Sequence, residues 1–146
     1  RSTPSNSSAA SDVYKRQGWN YGALSPEEVR HKLDILRKFC SEVGRNFEDI
    51  EKTFELYVFI GRDRSEANSR LEKYLETIPR GDKLQHIIQQ LHIRNALKGT
   101  AGDILNQIEA YVNAGIEHFI LVFPGGDRFK MLKEFGEHVL SEAKKL

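Results

Sequence analysis

The sequence predicts an α/β protein in which parallel strands alternate with helices. Two short segments, 53–60 and 118–123, are rich in β-branched and aromatic residues, which favour strands. The segments around them carry apolar residues at helical spacing. This alternation is typical of strands that pair in parallel through right-handed crossovers. Because Gly18-Trp19-Asn20 resembles the end of a strand with no strand before it, we expect the chain to begin inside its fold.

Residues 1–17 differ in kind from the rest of the chain. They are rich in Ser, Ala, Thr, Asn and Pro, with Val13 and Tyr14 as the only sizeable apolar side chains. Such a segment cannot bury enough apolar surface to offset its ordering entropy, so we expect a disordered leader. Residues 8–17 also resemble translated adapter sequence, which predicts a non-native origin. A natural disordered leader is the alternative.

The first predicted helix begins at Ser25-Pro26-Glu27-Glu28, where Ser25 can cap the helix and Glu28 can complete a capping box. Gly44 is expected to end it in a left-handed conformation. The apolar residues fall at steps of three and four and predict one buried stripe. Its members are Val29, Leu33, Leu36, Cys40 and Val43. Cys40 is therefore expected to face the core.

The middle of the chain predicts a strand and two helices. The strand, 53–60, is nearly continuously apolar, as in a sheet that is covered on both faces. A helix is expected over 65–78, with a break at Pro79-Arg80-Gly81. A second, shorter helix has apolar residues along one side. These residues are Leu84, Ile87, Ile88 and Leu91.

The last part predicts helix, strand and helix. Thr100 and Asp103 form a second capping-box pattern, and the following helix closes at Ala114-Gly115. Its expected core stripe is Ile104, Ile108 and Val112. A strand over 118–123 then leads through Pro124-Gly125-Gly126-Asp127 into a final helix. The residues expected to face inward from that helix are Leu132, Phe135 and Val139.

Composition excludes several classes of function. Lys and Arg total 22 against 21 Asp and Glu, so we expect neither nucleic acid nor a membrane surface as a partner. A single cysteine excludes an internal disulfide framework, and no apolar run is long enough to span a bilayer. We expect a cytoplasmic globular protein. We also expect no metal site, because the histidines are scattered, at His31, His86, His92, His118 and His138.

Candidate chemistry lies where strands end, because ligands of α/β folds bind at the carboxyl ends of the strands. Trp19 and Asn20 either line a cavity or pack under the next helix. Lys98-Gly99-Thr100 is either an anion-binding nest or an ordinary capping box, and the capping box is the simpler interpretation. Gly125-Gly126 is either a phosphate-binding turn or simple turn chemistry. Asp127 is expected to cap the following helix and would repel a phosphate.

These motifs, in this order, resemble the luciferase-like monooxygenase superfamily over all of residues 18–146. The chain departs from the family's usual Gly-Thr-Pro at Gly99-Thr100-Ala101, and from its Ala-Asp before Gly-Trp-Asn at Arg16-Gln17. The matching segments are Gly18-Trp19-Asn20, Ser25-Pro26-Glu27-Glu28, Val43-Gly44-Arg45, Lys98-Gly99-Thr100, the stretch 111–121, and the final turn at 123–127.

The resemblance implies the C-terminal part, about the last three βα units, of a TIM-like (β/α)8 barrel. It implies an oxidoreductase or monooxygenase that uses FMN or coenzyme F420 and acts on a small organic substrate, and it suggests a homo-oligomer. A fragment of this kind is expected to be inactive, with two open sheet edges. The cofactor-binding residues carried over from the family are Trp19, Asn20, Lys98, Gly99 and Thr100. The resemblance maps no catalytic residue of the family onto this stretch, so the catalytic residues are unknown at this point. A stand-alone α/β ligand-binding or interaction module is the alternative.

Overall fold

The computed structural model describes residues 18–79 and 83–146. The expected leader, the predicted break at Arg80-Gly81 and the side chain of Leu84 lie outside the described residues. In chain order the elements are β1 (Gly18–Gly22), α1 (Pro26–Glu42), a 3-10 turn (Phe47–Asp49), β2 (Glu51–Ile60), α2 (Arg64–Glu76), α3 (Lys83–Arg94), β3 (Leu97–Gly99), α4 (Ala101–Ala114), β4 (His118–Val122), α5 (Arg128–His138) and α6 (Leu140–Ala143).

The sheet is built around β2, and every pairing is parallel. β1 pairs with residues 51–55 of β2, and β4 pairs with residues 53–57. Because these two registers overlap, β1 and β4 lie on opposite edges of β2. The short β3 pairs with the last three residues of β2. The predicted α/β class with a parallel sheet is therefore confirmed.

The two faces of the sheet are unlike. The residues of the helix-covered face point toward α1, α4 and α5, and the ring of Phe54 stacks on Tyr111 of α4 at 5.2 Å. By register and alternation this face carries Trp19, Tyr21, Lys52, Phe54, Leu56, Phe119 and Leu121. The opposite face, called the open face below, carries Asn20, Thr53, Glu55, Tyr57, His118, Ile120 and Val122.

Burial along β2 alternates over most of its length, so the expectation of a strand covered on both faces is wrong there. Phe54 and Leu56 are buried on the helix-covered face, whereas Glu55 and Tyr57 on the open face are only partly buried. Continuous burial is confined to the last three residues of the strand, 58–60. A period of two is what a strand with one covered face produces.

Helix α1 begins and ends as the sequence predicts. The backbone N–H of Ser25 donates to Glu28 Oε2 at 2.8 Å, and the N–H of Glu28 donates back to Ser25 Oγ at 3.3 Å. At the other end Gly44 has φ +69°, and the N–H of Arg45 donates to the carbonyl of Cys40 at 2.8 Å, as in a Schellman motif. Cys40 is buried as expected. Val43 is wrong as a core residue, since it is 74% exposed at the point where the chain leaves the helix.

The last helices differ from expectation in two respects. Leu132 is 52% exposed, and Met131 takes its place in the core with Phe135 and Val139, at spacings of four residues. Asp127 occupies the N-cap position of α5 but makes no capping hydrogen bond with its side chain. Its carboxylate pairs instead with Lys130 at 3.6 Å and Lys73 at 4.0 Å. Within the described residues, no helix has the length and apolar character needed to cross a membrane.

Candidate functional site

The structure places the expected cofactor-binding residues at two separate levels of the sheet. Trp19 and Asn20 are the second and third residues of β1 and pair with Lys52 and Thr53. Lys98, near the other end of the sheet, pairs with Phe59. Seven residues along β2 separate these two levels, which corresponds to about 23 Å at 3.3 Å per residue. The two groups are therefore not brought together, and no single small group could touch both.

Trp19 and Asn20 also point in opposite directions. Trp19 shares the helix-covered face with Lys52, packs against the core and stacks on Tyr21 at 5.7 Å. This placement favours the packing alternative for the indole. Asn20 is exposed on the open face, in one row with Thr53 and His118. Only the Asn20 amide is placed where a ligand on the open face could reach it.

Gly99 and Thr100 are occupied by the start of α4. Thr100 Oγ1 accepts from the N–H of Asp103 at 3.3 Å, and the N–H of Thr100 donates to Asp103 Oδ2 at 3.0 Å. Gly99 has φ +130°, and a Cβ there would lie 2.6 Å from Asp103 Oδ2. Arg64 donates two hydrogen bonds to the same carboxylate, at 3.0 and 2.6 Å. The Arg64 hydrogen bond, followed by those from Thr100, holds the pKa of Asp103 well below its ordinary value. The capping-box alternative is thus the observed one.

Lys98 keeps an exposed side chain beside this capping box. Its backbone N–H donates to Gln107 Oε1 at 3.0 Å, and its carbonyl accepts from Gln107 Nε2 at 2.9 Å, which fixes the position of the chain. The residue lines a groove of about 320 Å³ together with Arg64, Asn68 and Gln107. Asp103 also lines this groove and already holds Arg64 in two hydrogen bonds, so the Lys98 ammonium and the Asn68 amide are the groups that can receive a polar or anionic group there.

The turn after β4 has the geometry that its glycines predict. Gly125 has φ +86° and lies against Tyr74, where a Cβ would be 3.7 Å from the Tyr74 Cβ. A groove of about 400 Å³ separates this turn from α2 and is lined by Arg70 and Lys73 among others. Arg70 is itself buried, and it donates to the carbonyl of Ile60 at 2.5 Å. Arg70 therefore ties the carboxyl end of β2 to its surroundings.

A cluster that the sequence analysis missed lies on the open face. Helix α3 folds over the carboxyl half of this face and brings His92 above Glu55 and Tyr57. The Nδ1 atom of His92 lies 3.8 Å from Glu55 Oε1, and its ring stacks on Tyr57 at 4.8 Å. Gly22 makes room for the imidazole, because a Cβ there would lie 3.3 Å from His92 Cε1. His92 Nδ1 is buried and has no hydrogen-bond partner among the described residues.

This cluster brings a carboxylate, an imidazole and a phenol together on the open face. Burial, and secondly the neighbouring Tyr74, raise the pKa of the Tyr57 phenol. A carboxylate, an imidazole and a phenol can together accept or donate a hydrogen bond, or hold a proton. Part of this cluster had a signal in the sequence: the polar residues Thr53, Glu55 and Tyr57 alternate within an apolar strand. His92 had none, because its position depends on how α3 folds back. Within residues 18–79 and 83–146, no group of three His, Cys, Asp or Glu side chains could hold a metal ion.

Sequence comparison finds distant relatives that are named as F420-dependent enzymes. The chain is 27% identical over 128 residues to an F420-dependent glucose-6-phosphate dehydrogenase of Kribbella flavida and 24% identical to that of Amycolatopsis mediterranei. Each match covers 78% of this chain and 38% of the relative. No protein-family model matches the chain.

Solved structures match more of the chain at lower identity. DmoA from Hyphomicrobium sulfonivorans has a TM-score of 0.66 and 17% identity, covering 99% of this chain and 40% of DmoA. The F420-dependent tetrahydromethanopterin reductase of Methanopyrus kandleri has a TM-score of 0.61 and 18% identity, covering 86% of this chain and 45% of the reductase. The chain has the fold of the luciferase-like monooxygenase superfamily.

The resemblance drawn from the sequence motifs is thereby confirmed. The chain spans about 38% of the length of the curated relatives that it matches. The polar residues described above lie on the open face of the sheet and at the carboxyl ends of β2, β3 and β4.

Proposed function

We propose that this chain is the C-terminal part of a luciferase-like barrel oxidoreductase that uses FMN or coenzyme F420. Relatives whose names state F420 dependence support the cofactor, and the parallel sheet supports the barrel. The share of each relative that is covered, 38% to 45%, is what about three of eight βα units would give. In the intact protein, the open face of β1, β2 and β4 would form part of the inner wall of the barrel.

The cluster of His92, Glu55 and Tyr57 carries this proposal. An imidazole nitrogen that is buried without a partner is costly unless something binds it, so its place on the open face indicates a ligand there. The cofactor would supply hydride transfer or oxygen activation when bound. The residues of this chain would bind and orient the reacting groups and exclude water, with Glu55 and His92 holding a proton at their facing oxygen and nitrogen.

The other expected cofactor residues receive different parts in this proposal. Asn20 would hydrogen-bond a ligand on the open face, and Lys98 would meet a more distant polar or anionic part of the cofactor or substrate. Trp19 would act indirectly, by fixing β1 against the helices. Gly99 and Thr100 would shape the α4 terminus beside Lys98.

The isolated chain should be inactive under this proposal, because β1 and β4 are edge strands. Among the described residues, neither has a partner strand on the side away from β2. Neither edge strand contains the Lys or Pro residues that protect exposed edges, and this favours pairing with further strands in the intact protein. We also propose that the intact protein is cytoplasmic and forms homo-oligomers.

The test is a cofactor titration of two proteins, the longest product of the gene and residues 18–146 alone. We expect saturable quenching of FMN or coenzyme F420 fluorescence by the longer protein and none by the shorter one. In the longer protein His92→Gln should alter the pH profile of turnover, whereas the exposed His138→Gln should not. Saturable binding by residues 18–146 alone would support the stand-alone module instead. If neither protein binds FMN or coenzyme F420, the proposed cofactor is wrong and only the similarity of fold to the relatives remains.

A further inference from the structure

A further cavity lies on the helix-covered side of the sheet, the other side from the open face that carries the proposed cofactor site. It occupies about 680 Å³ between α1, α4 and the last two helices, at the amino-terminal ends of β2 and β4. That volume falls within the range of about 300–1,000 Å³ typical of small-molecule pockets. Its walls are mainly aliphatic and aromatic, formed by Leu33, Ile108, Val112, Leu121, Phe135 and Leu140.

A lysine ammonium is buried in the wall of this apolar cavity. The side chain of Lys52 is only 3% exposed, although it carries a charge that is costly to remove from water. Its Nζ lies 2.9 Å from Glu117 Oε1, near enough for an ion pair but without the alignment of a hydrogen bond. Glu48 Oε2 is farther away, at 3.7 Å, and the Phe47 ring centroid is at 4.7 Å.

The ammonium therefore has unused donor capacity, and its nitrogen is enclosed in the wall of the cavity. Glu48 is 71% exposed and Glu117 is 46% exposed, so water solvates both carboxylates while Lys52 is enclosed. Arg37 and Lys144 also line the cavity, which gives three cations against two carboxylates. Arg37 shares its charge with Asp34 at 2.8 Å, so Lys52 and Lys144 contribute most of the positive character.

We propose that this cavity binds an aliphatic monocarboxylate, with its chain along the apolar wall and its carboxylate on the Lys52 ammonium. The ligand carboxylate would supply the aligned acceptor that the ammonium lacks, and charge-assisted hydrogen bonds of this type are the strong ones. Burial of the ligand's aliphatic chain would remove apolar surface of both the ligand and the cavity wall from water. The amino-terminal face of such a fold ordinarily serves stability alone, so this site would be separate from the cofactor site.

The test compares dodecanoate with dodecanol, both below the concentrations at which they aggregate, by calorimetric titration of this chain. We expect dodecanoate to bind with one-to-one stoichiometry and at least tenfold more tightly than the alcohol. Lys52→Met keeps the volume and removes the charge, so it should abolish this preference while leaving alcohol binding unchanged. Val112→Trp should fill the cavity and weaken both probes. Lys98→Met, on the other end of the sheet, should change neither affinity.

Glu117→Gln provides a variant that keeps Lys52 in place. A glutamine can still accept the hydrogen bond that the Lys52 backbone N–H donates to Glu117 at 3.3 Å, but it no longer competes for the ammonium. We expect this variant to bind dodecanoate at least threefold more tightly. Equal affinities for acid and alcohol, no effect of either Lys52→Met or Glu117→Gln, or no saturable binding would each overturn the proposal. None of these outcomes bears on the cofactor site, which is tested separately.

Discussion

The two faces of strand β2 differ although their residues alternate along one stretch of chain. Phe54, Leu56 and Val58 lie on the helix-covered face and are almost completely buried. Thr53, Glu55 and Tyr57 lie on the open face and are partly exposed. Glu55 and Tyr57 meet His92 near the end of helix α3, and Tyr57 also meets Tyr74 of α2. One face therefore holds the fold together, while the other presents polar groups to a space that the rest of this chain does not fill.

Alternate residues of a single strand can therefore serve stability and binding separately. A side chain on the helix-covered face interacts with several elements at once, so its loss leaves a cavity. A side chain on the open face can be replaced with little loss of packing, and its chemistry is free to vary. The predictions below test this division.

The largest expected loss of stability follows a substitution on the helix-covered face. Phe54→Ala should lower the free energy of unfolding by about 3–5 kcal/mol, because it removes a fully buried ring that stacks on Tyr111. Ile120→Ala, on the open face, should change it by less than about 1 kcal/mol, since Ile120 is largely accessible. Urea unfolding followed by circular dichroism measures both. Similar losses in the two variants would contradict the division between faces.

The next effect concerns the buried Arg70, which joins β2 to α5. Its guanidinium donates to Glu134 at 2.7 and 3.0 Å and to Glu66 at 3.0 Å. Arg70→Ala should cost about 2 kcal/mol, the usual scale for hydrogen bonds to charged groups, and should leave Glu134 without its partner.

Arg62 provides the matched control for Arg70. It pairs with the same Glu66 at 2.9 Å but is 85% exposed, so Arg62→Ala should leave the free energy of unfolding nearly unchanged. Thermal unfolding of both variants distinguishes them. Equal shifts would show that burial of the arginine does not determine its contribution.

A smaller effect is expected where Tyr111 meets the chain between β1 and α1. The phenol donates to the Leu24 carbonyl at 2.8 Å, and Tyr111→Phe should cost about 1 kcal/mol. Burial, and secondly the charge of Glu28, raise the pKa of Tyr111 to about 12.

The raised pKa of Tyr111 also predicts an alkaline effect. Since an unfolded tyrosine ionises near pH 10, the stability from the neutral phenol is fully present below that pH and is lost as pH rises toward 12. Tyr111→Phe should flatten this alkaline loss, as measured by unfolding at a series of pH values. An unchanged alkaline slope would show that Tyr111 does not cause it.

The last expected effect is on stability in acid and is located at Asp103. Its lowered pKa means that its contribution to stability is present above about pH 4, the ordinary range of an unfolded Asp, and is lost as pH falls below it. Asp103→Asn should therefore make the chain less sensitive to acid than the wild type. Asp34→Asn, in the exposed pair with Arg37, is the control for removing one carboxylate from the surface. Equal acid sensitivity in all three proteins would contradict the role of the Arg64 and Thr100 contacts.

The sequence predicted much of the secondary structure because local contacts determine it. The caps at Ser25 and Thr100 and the end of α1 at Gly44 depend on residues within five positions of each other. Errors arose where a residue's environment depends on distant partners. Leu132 and Met131 are equally apolar neighbours, and only the packing of α5 on the sheet decides which of them is buried.

Local sequence patterns were enough to predict three of the four strands, both ends of α1, the start of α4 and the family resemblance, but not the short strand β3 or the uncapped start of α5. Tertiary contacts were needed to establish that six residues of β2 separate the levels of Asn20 and Lys98, that His92 lies over Glu55, and that Lys52 is enclosed beside Glu117. The physical reason is sequence separation. A cap forms within one turn of a helix, whereas Lys52 and Glu117 are 65 residues apart and meet only because β2 and β4 pair in register.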